Sequence, residues 1–94
     1  MKINEITRGM SNISLIAKVL EISETRDVQT RFGRRSVADA LLEDDTGQIS
    51  VSLWEDQINK ISVGDTVNIT GAFATEFKGK LQLNIPRSGN ILVE

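Results

Sequence analysis

Cysteine and histidine are both absent from this 94-residue chain, and there is only one proline. Their absence excludes disulfide frameworks, thiol nucleophiles, the usual zinc sites and Ser-His-Asp triads. No apolar run approaches the ~20 residues of a membrane span, and Met1-Lys2-Ile3-Asn4-Glu5 does not read as a signal peptide. The expected setting is therefore the cytoplasm, with no membrane partner. At 39% apolar and 26% charged, the composition suits one globular domain over residues 1–94. A domain of this size buries roughly 60–70% of the surface its unfolded chain exposes, enough for one modest core.

The balance of charge is slightly acidic, −2 overall, but its distribution is uneven. Between Arg26 and Arg35, four arginines (Arg26, Arg31, Arg34, Arg35) face one Asp27, a local +3. Lys78, Lys80 and Arg87 supply another +3, whereas Ser36 to Asp65 sums to −6. If the two basic segments meet in space, an acidic protein still carries a positive groove. The plainer reading is a solvated surface.

Alternation with a period of two dominates the chain. Ile13 to Ile22, Val37 to Leu42, Gln48 to Trp54, Thr66 to Phe73 and Leu81 to Ile85 read as five strands. Asp44-Asp45-Thr46-Gly47 supplies turn chemistry between the second and third. Glu55 to Ile61 breaks the alternation and is expected to form about one and a half helical turns, ended by Gly64. Asn90 to Val93 could add a short edge strand, and Ile3 with Ile6 could plug one end of the core. The pattern predicts an all-β, five-stranded OB-fold barrel with a short helix between strands three and four.

Only four aromatics exist: Phe32, Trp54, Phe73 and Phe77. Trp54 shares the parity of Ser50 and Ser52, so a regular third strand turns the indole outward; a bulge, or cover by the short helix, would hide it. Phe77 precedes the Gly79 of a hairpin and either stands at its tip or packs onto the barrel rim. Phe73 falls inward when counted from Val67 and Ile69, and outward if Gly71 carries a bulge. Phe32 belongs to the loop between the first two predicted strands, where it either stacks on a base or anchors the loop. Exposed aromatics beside basic residues are what unpaired nucleic acid requires, each stacked base contributing ~1–3 kcal/mol. Arg31, Arg34, Arg35, Lys78 and Lys80 are the candidate phosphate contacts, and Ser52, Gln82 and Asn84 the polar groups on the same face.

The run Glu43-Asp44-Asp45-Thr46-Gly47-Gln48-Ile49 followed by Leu53-Trp54 resembles the centre of archaeal single-stranded-DNA-binding proteins, which belong with the OB domains of replication protein A. Gly64-Asp65-Thr66-Val67, the hairpin Ala72 to Asn84, and Val19-Leu20-Glu21 with the arginine-bearing loop after it are similar in order and spacing. The resemblance spans about Ile6 to Ile85. It implies base stacking on Trp54, Phe73 and Phe77, with Phe73 outward, and a monomer near the nucleoid serving replication, recombination or repair with other proteins of those processes. An RNA-binding domain or a protein-interaction subunit is the alternative. No cofactor, metal or catalytic residue is expected. Asp44, Asp45, Glu55 and Asp56 read as turn and helix-start residues rather than as acid, base or Mg²⁺ ligands.

Overall fold

Side-chain alternation builds the wall of the molecule. In β1 (Ile13–Ile22), Ile13, Leu15, Ala17 and Val19 are buried while Ser14, Ile16 and Lys18 face solvent. The computed structural model describes residues 1–94, apart from the side chain of Phe77. After β1 come β2 (Arg26–Thr30), β3 (Gly33–Asp44), β4 (Gly47–Trp54), a 3₁₀ helix (Glu55–Lys60), β5 (Thr66–Phe77), β6 (Lys80–Asn84) and β7 (Asn90–Val93). The predicted five strands are β1, β3, β4, β5 and β6, and β7 is the short edge strand.

Five strands close into a ring in the order β1-β3-β4-β6-β5, with β5 returning to β1. The β4–β6 pair is parallel and the other pairs of the ring antiparallel. Closure depends on two strands long enough to serve two neighbours. β1 pairs with β5 through its first half and with β3 through its second, where Leu20 makes a bulge between Val19 and Glu21. β5 pairs with β1 and β7 first, then with β6. Its own irregularity sits at Gly71, φ +72°: Ile13 faces Ala72 but Leu15 faces Ile69, so β5 spends one extra residue. Val67 and Ile69 point inward before the bulge, Ala72 and Ala74 after it.

The core is aliphatic, with Leu15, Leu42, Leu53, Ile69, Leu83 and Ile91 among its largest fully buried side chains. Each contributes roughly 1.5–3 kcal/mol by leaving water. Among the described residues, no aromatic belongs to it. Ile3 and Ile6 close one end from a short 3₁₀ turn (Ile3–Glu5). That turn is tied to the β3–β4 hairpin: the Ile3 N–H donates to Asp44 Oδ2 (2.8 Å) and the Asn4 N–H to Thr46 Oγ1 (3.1 Å). Asp44 Oδ1 also accepts from the Thr46 N–H (2.7 Å), the Thr46 hydroxyl (2.6 Å) and the Gly47 N–H (3.2 Å). Burial pushes this carboxyl up, but the hydrogen bonds outweigh it and bring its pKa down to about 2.

Two expectations need correction. The segment Arg26–Thr30 is a strand rather than a loop, paired with β3 from Arg26↔Val37 to Thr30↔Gly33. It carries a single apolar residue, Val28, so alternation could not reveal it; backbone pairing along β3 holds it. The segment after β4 is a 3₁₀ helix that ends at Lys60, and Gly64 lies in the later turn into β5. Ile58 and Ile61, three residues apart, fit three residues per turn as well as they fit an α-helix. Among the described residues, no helix is long and apolar enough to cross a membrane.

Candidate functional site

Strand register assembles one outer face from four strands. Across β3 and β4, Val37 lies level with Trp54, Asp39 with Ser52 and Leu41 with Ser50. Ser50 and Ser52 continue to Gln82 and Asn84 of β6, and these to Thr75 and Phe73 of β5. The β2–β3 hairpin extends the face past Val37, through Arg26 and Arg35.

Trp54 sits at one end of this face, half-buried, neither free in solvent nor sealed in the core. It walls a groove of about 460 Å³ together with Phe32, Ile85 and three arginines, Arg31, Arg35 and Arg87. Glu55 follows directly in a left-handed conformation, φ +52°. Its carboxylate accepts from Arg35 Nε (3.1 Å) and the Ser36 N–H (3.3 Å), which fixes Arg35 beside the groove. Gln57 caps the turn by accepting from the Trp54 N–H (3.0 Å). Phe32 stands at the tip of the β2–β3 hairpin and is 81% exposed. The Thr30 hydroxyl shapes that tip: it donates to the Gly33 carbonyl (2.7 Å) and accepts from the Phe32 N–H (3.1 Å).

Phe73 lies on the same outer face, 37% exposed, because the Gly71 bulge reverses the parity of β5. Beside it Asn84 donates to Thr75 Oγ1 (3.1 Å). Between Phe73 and Trp54 the face is polar. Ser52 is only 6% exposed, and Gln82 Nε2 donates both to its hydroxyl and to Asp39 Oδ1 (3.2 Å). Arg26 pairs with Asp39 from the other side at 3.3 Å. Beyond them a second recess of about 570 Å³ opens between Lys80, Ser50, Leu41 and the Ile3–Glu5 turn.

The predicted site residues divide as follows. Trp54, Phe32, Arg31 and Arg35 share the first groove; Ser52, Gln82, Asn84 and Phe73 occupy the middle; Lys80 lies by the second recess. Lys78 is exposed in the two-residue β5–β6 turn, where Lys78 (φ +53°) and Gly79 (φ +80°) both take left-handed backbone. The expectation for the Phe77 side chain falls outside the described residues. Arg34 is not brought to this face: it lies on the other side of the hairpin, level with Gln29, its Nε 3.9 Å from Asp27 Oδ2. Sequence reasoning left Arg26, Asp39 and Arg87 out of the site. Arg87 was visible as part of the second basic segment; Asp39 stood out only as the lone charge in the Val37–Leu42 run. Among the described residues, no group of three or more acidic side chains could hold a metal ion.

The sequence model of the family described as single-stranded DNA binding protein Ssb-like, OB fold, matches residues 6–93. The chain is 36% identical over 83 residues to the single-stranded DNA binding protein Ssb of Saccharolobus solfataricus, covering 88% of this chain and 56% of that protein. It is also 36% identical over 96 residues to Replication factor A of Methanothermobacter thermautotrophicus, covering 96% and 12% respectively. The chain thus spans about half the length, or less, of these curated relatives. Among solved structures, an OB domain from Thermoplasma acidophilum superimposes with a TM-score of 0.87 at 26% identity, over all of this chain and 85% of that one. A replication protein A heterotrimer bound to single-stranded DNA matches with a TM-score of 0.80 at 15% identity, over all of this chain and 24% of that one, a likeness of fold alone.

Proposed function

We propose a function on the premise that this chain belongs to the Ssb-like family of OB-fold single-stranded DNA binding proteins: it binds unpaired DNA along the outer face of β3, β4, β6 and β5, without catalysis. Bases stack on Trp54, Phe73, Phe32 and Phe77, while phosphates meet Arg31, Arg35, Arg87, Lys78 and Lys80. The role is to hold unwound strands during replication, recombination or repair, alongside other proteins of those processes.

The observation that carries this reading is the groove in which one half-buried indole meets three arginines. A fold held together by aliphatic residues gains little from placing its sole tryptophan there. The flat face of an unpaired base gains a stacking partner and a nearby cation for its phosphate. Duplex DNA keeps its base faces in the stack, so the same groove favours single strands. Two of the acidic side chains have structural partners: Asp44 is engaged in the β3–β4 turn and Glu55 in holding Arg35.

Tryptophan emission provides the test, since Trp54 is the sole indole. Oligo-dT added at low salt should change that emission and bind far more tightly than a duplex of equal length. Unchanged emission, or equal affinity for duplex, would overturn the reading. Competition between matched oligo-dU and oligo-rU then reads the choice between DNA and RNA.

A further inference from the structure

The β2–β3 hairpin outruns the strand beside it. β3 pairs with β4 as far as Val37↔Trp54, whereas β2 follows β3 on from Arg26↔Val37 to Thr30↔Gly33. Residues 27–36 therefore form a two-stranded arm beyond the end of β4, with Arg31 and Phe32 at its tip. Continued in register, the next pair would be Ser36 with Glu55, and a regular ladder would give the Ser36 N–H the Glu55 carbonyl. The Glu55 backbone is left-handed instead, φ +52°, and its side chain takes that place. One oxygen, Oε1, accepts from both the Ser36 N–H (3.3 Å) and Arg35 Nε (3.1 Å). Among the described residues, no other side-chain hydrogen bond or ion pair ties residues 27–36 to the barrel. Only Nε of Arg35 is engaged, so its terminal nitrogens stay open beside the groove that Arg31, Phe32 and Trp54 share.

We propose that Glu55 is a positioning residue for DNA binding: it holds the β2–β3 arm so that Phe32 and Arg31 close on a base stacked against Trp54. This rests on the proposed function and names the residue that sets the shape of its main groove. Glycine takes a left-handed backbone without steric cost, so the turn itself does not call for glutamate. The side chain is what the arm uses. A carboxylate beside three arginines also lowers the positive potential that draws phosphates in. Charge and position thus act in opposite directions, since removing the Glu55 side chain raises that potential but releases the arm. Position outweighs charge, because salt screens an exposed carboxylate while a displaced arm forfeits the stack on Phe32.

The test measures oligo-dT affinity by Trp54 emission in variants at position 55. Glu55→Gly should weaken binding about fivefold, the low end of what one stacked base contributes. Its urea midpoint should hold, because glycine relieves the left-handed backbone. Glu55→Gln should bind at least as tightly as the unaltered chain, since an amide oxygen can accept from both donors and the negative charge is gone. In a Phe32→Ala background the loss caused by Glu55→Gly should shrink, the arm having no ring left to place. Glu55→Asn tolerates the left-handed region with a side chain one carbon short, and gives the same reading if Glu55→Gly does not fold. Tighter binding by Glu55→Gly and Glu55→Gln alike would reduce Glu55 to its charge and overturn the proposal. Full additivity with Phe32→Ala would overturn it too, leaving DNA binding intact. Failure of the unaltered chain to bind oligo-dT would instead remove the function on which it rests.

Discussion

Gly71 and Gly89 pack backbone against backbone: a methyl group added to Gly71 would stand 3.0 Å from the Gly89 Cα. Gly71 is also left-handed, at φ +72°, in the bulge that turns Phe73 to the outer face. The same glycine thus governs both a close contact and the placement of Phe73, a residue of the proposed binding face. Gly71→Ala combines a left-handed penalty of ~1–2 kcal/mol with that contact. It should lower stability by about 2 kcal/mol or more in urea unfolding and weaken oligo-dT binding through a displaced Phe73.

Phe73 and Trp54 should each separate stability from binding. Phe73→Ala removes a ring that is 37% exposed, so a modest loss of stability should accompany a fall in oligo-dT affinity of ~1–3 kcal/mol. Trp54→Ala should show a comparable loss of affinity with a modest loss of stability, since its ring is half-buried. A variant at 54 that fails to fold would show the indole to be a core residue.

The arginines differ in placement, and salt dependence should report it. Each phosphate contact removed from a single-strand complex reduces the slope of log K against log salt by about 0.7. Arg31→Ala and Arg87→Ala, both in the Trp54 groove, should each show that reduction. Arg34→Ala, on the opposite side of the hairpin beside Asp27, should leave the slope unchanged.

Asp44 ties the N-terminal plug to the β3–β4 turn, so its charge state is linked to folding. Its pKa is lowered from 3.8 to about 2 in the folded protein. A depressed folded-state value stabilises the fold above the unfolded value, and that contribution is lost as pH falls through about 2. Asp44→Ala should cost about 1–3 kcal/mol near neutrality. Its deficit relative to the unaltered chain should shrink between about pH 4 and pH 2, as read by urea unfolding across that range.

The chain by itself determined the ring. Ile49-Val51-Leu53 and Ile13-Leu15-Ala17-Val19 alternate because one face of each strand must leave water, and that requirement is written residue by residue. The aliphatic core, the Asp44 turn and the outward parity of Ser50, Ser52 and Trp54 were legible for the same reason. Tertiary structure decided what depends on partners distant in sequence. β2 exists because β3 offers it a backbone ladder, which no pattern in Arg26–Thr30 announces. Whether Phe73 faced in or out hung on a bulge that only pairing with β1 exposes. Arg34 and Arg35 are neighbours in sequence, yet the pleat sends them to opposite sides, one to Asp27 and the other to the indole groove. Burial is a property of each side chain and can be read locally; the meeting of Asp39 with Gln82, 43 residues apart, follows only from the closing of the ring.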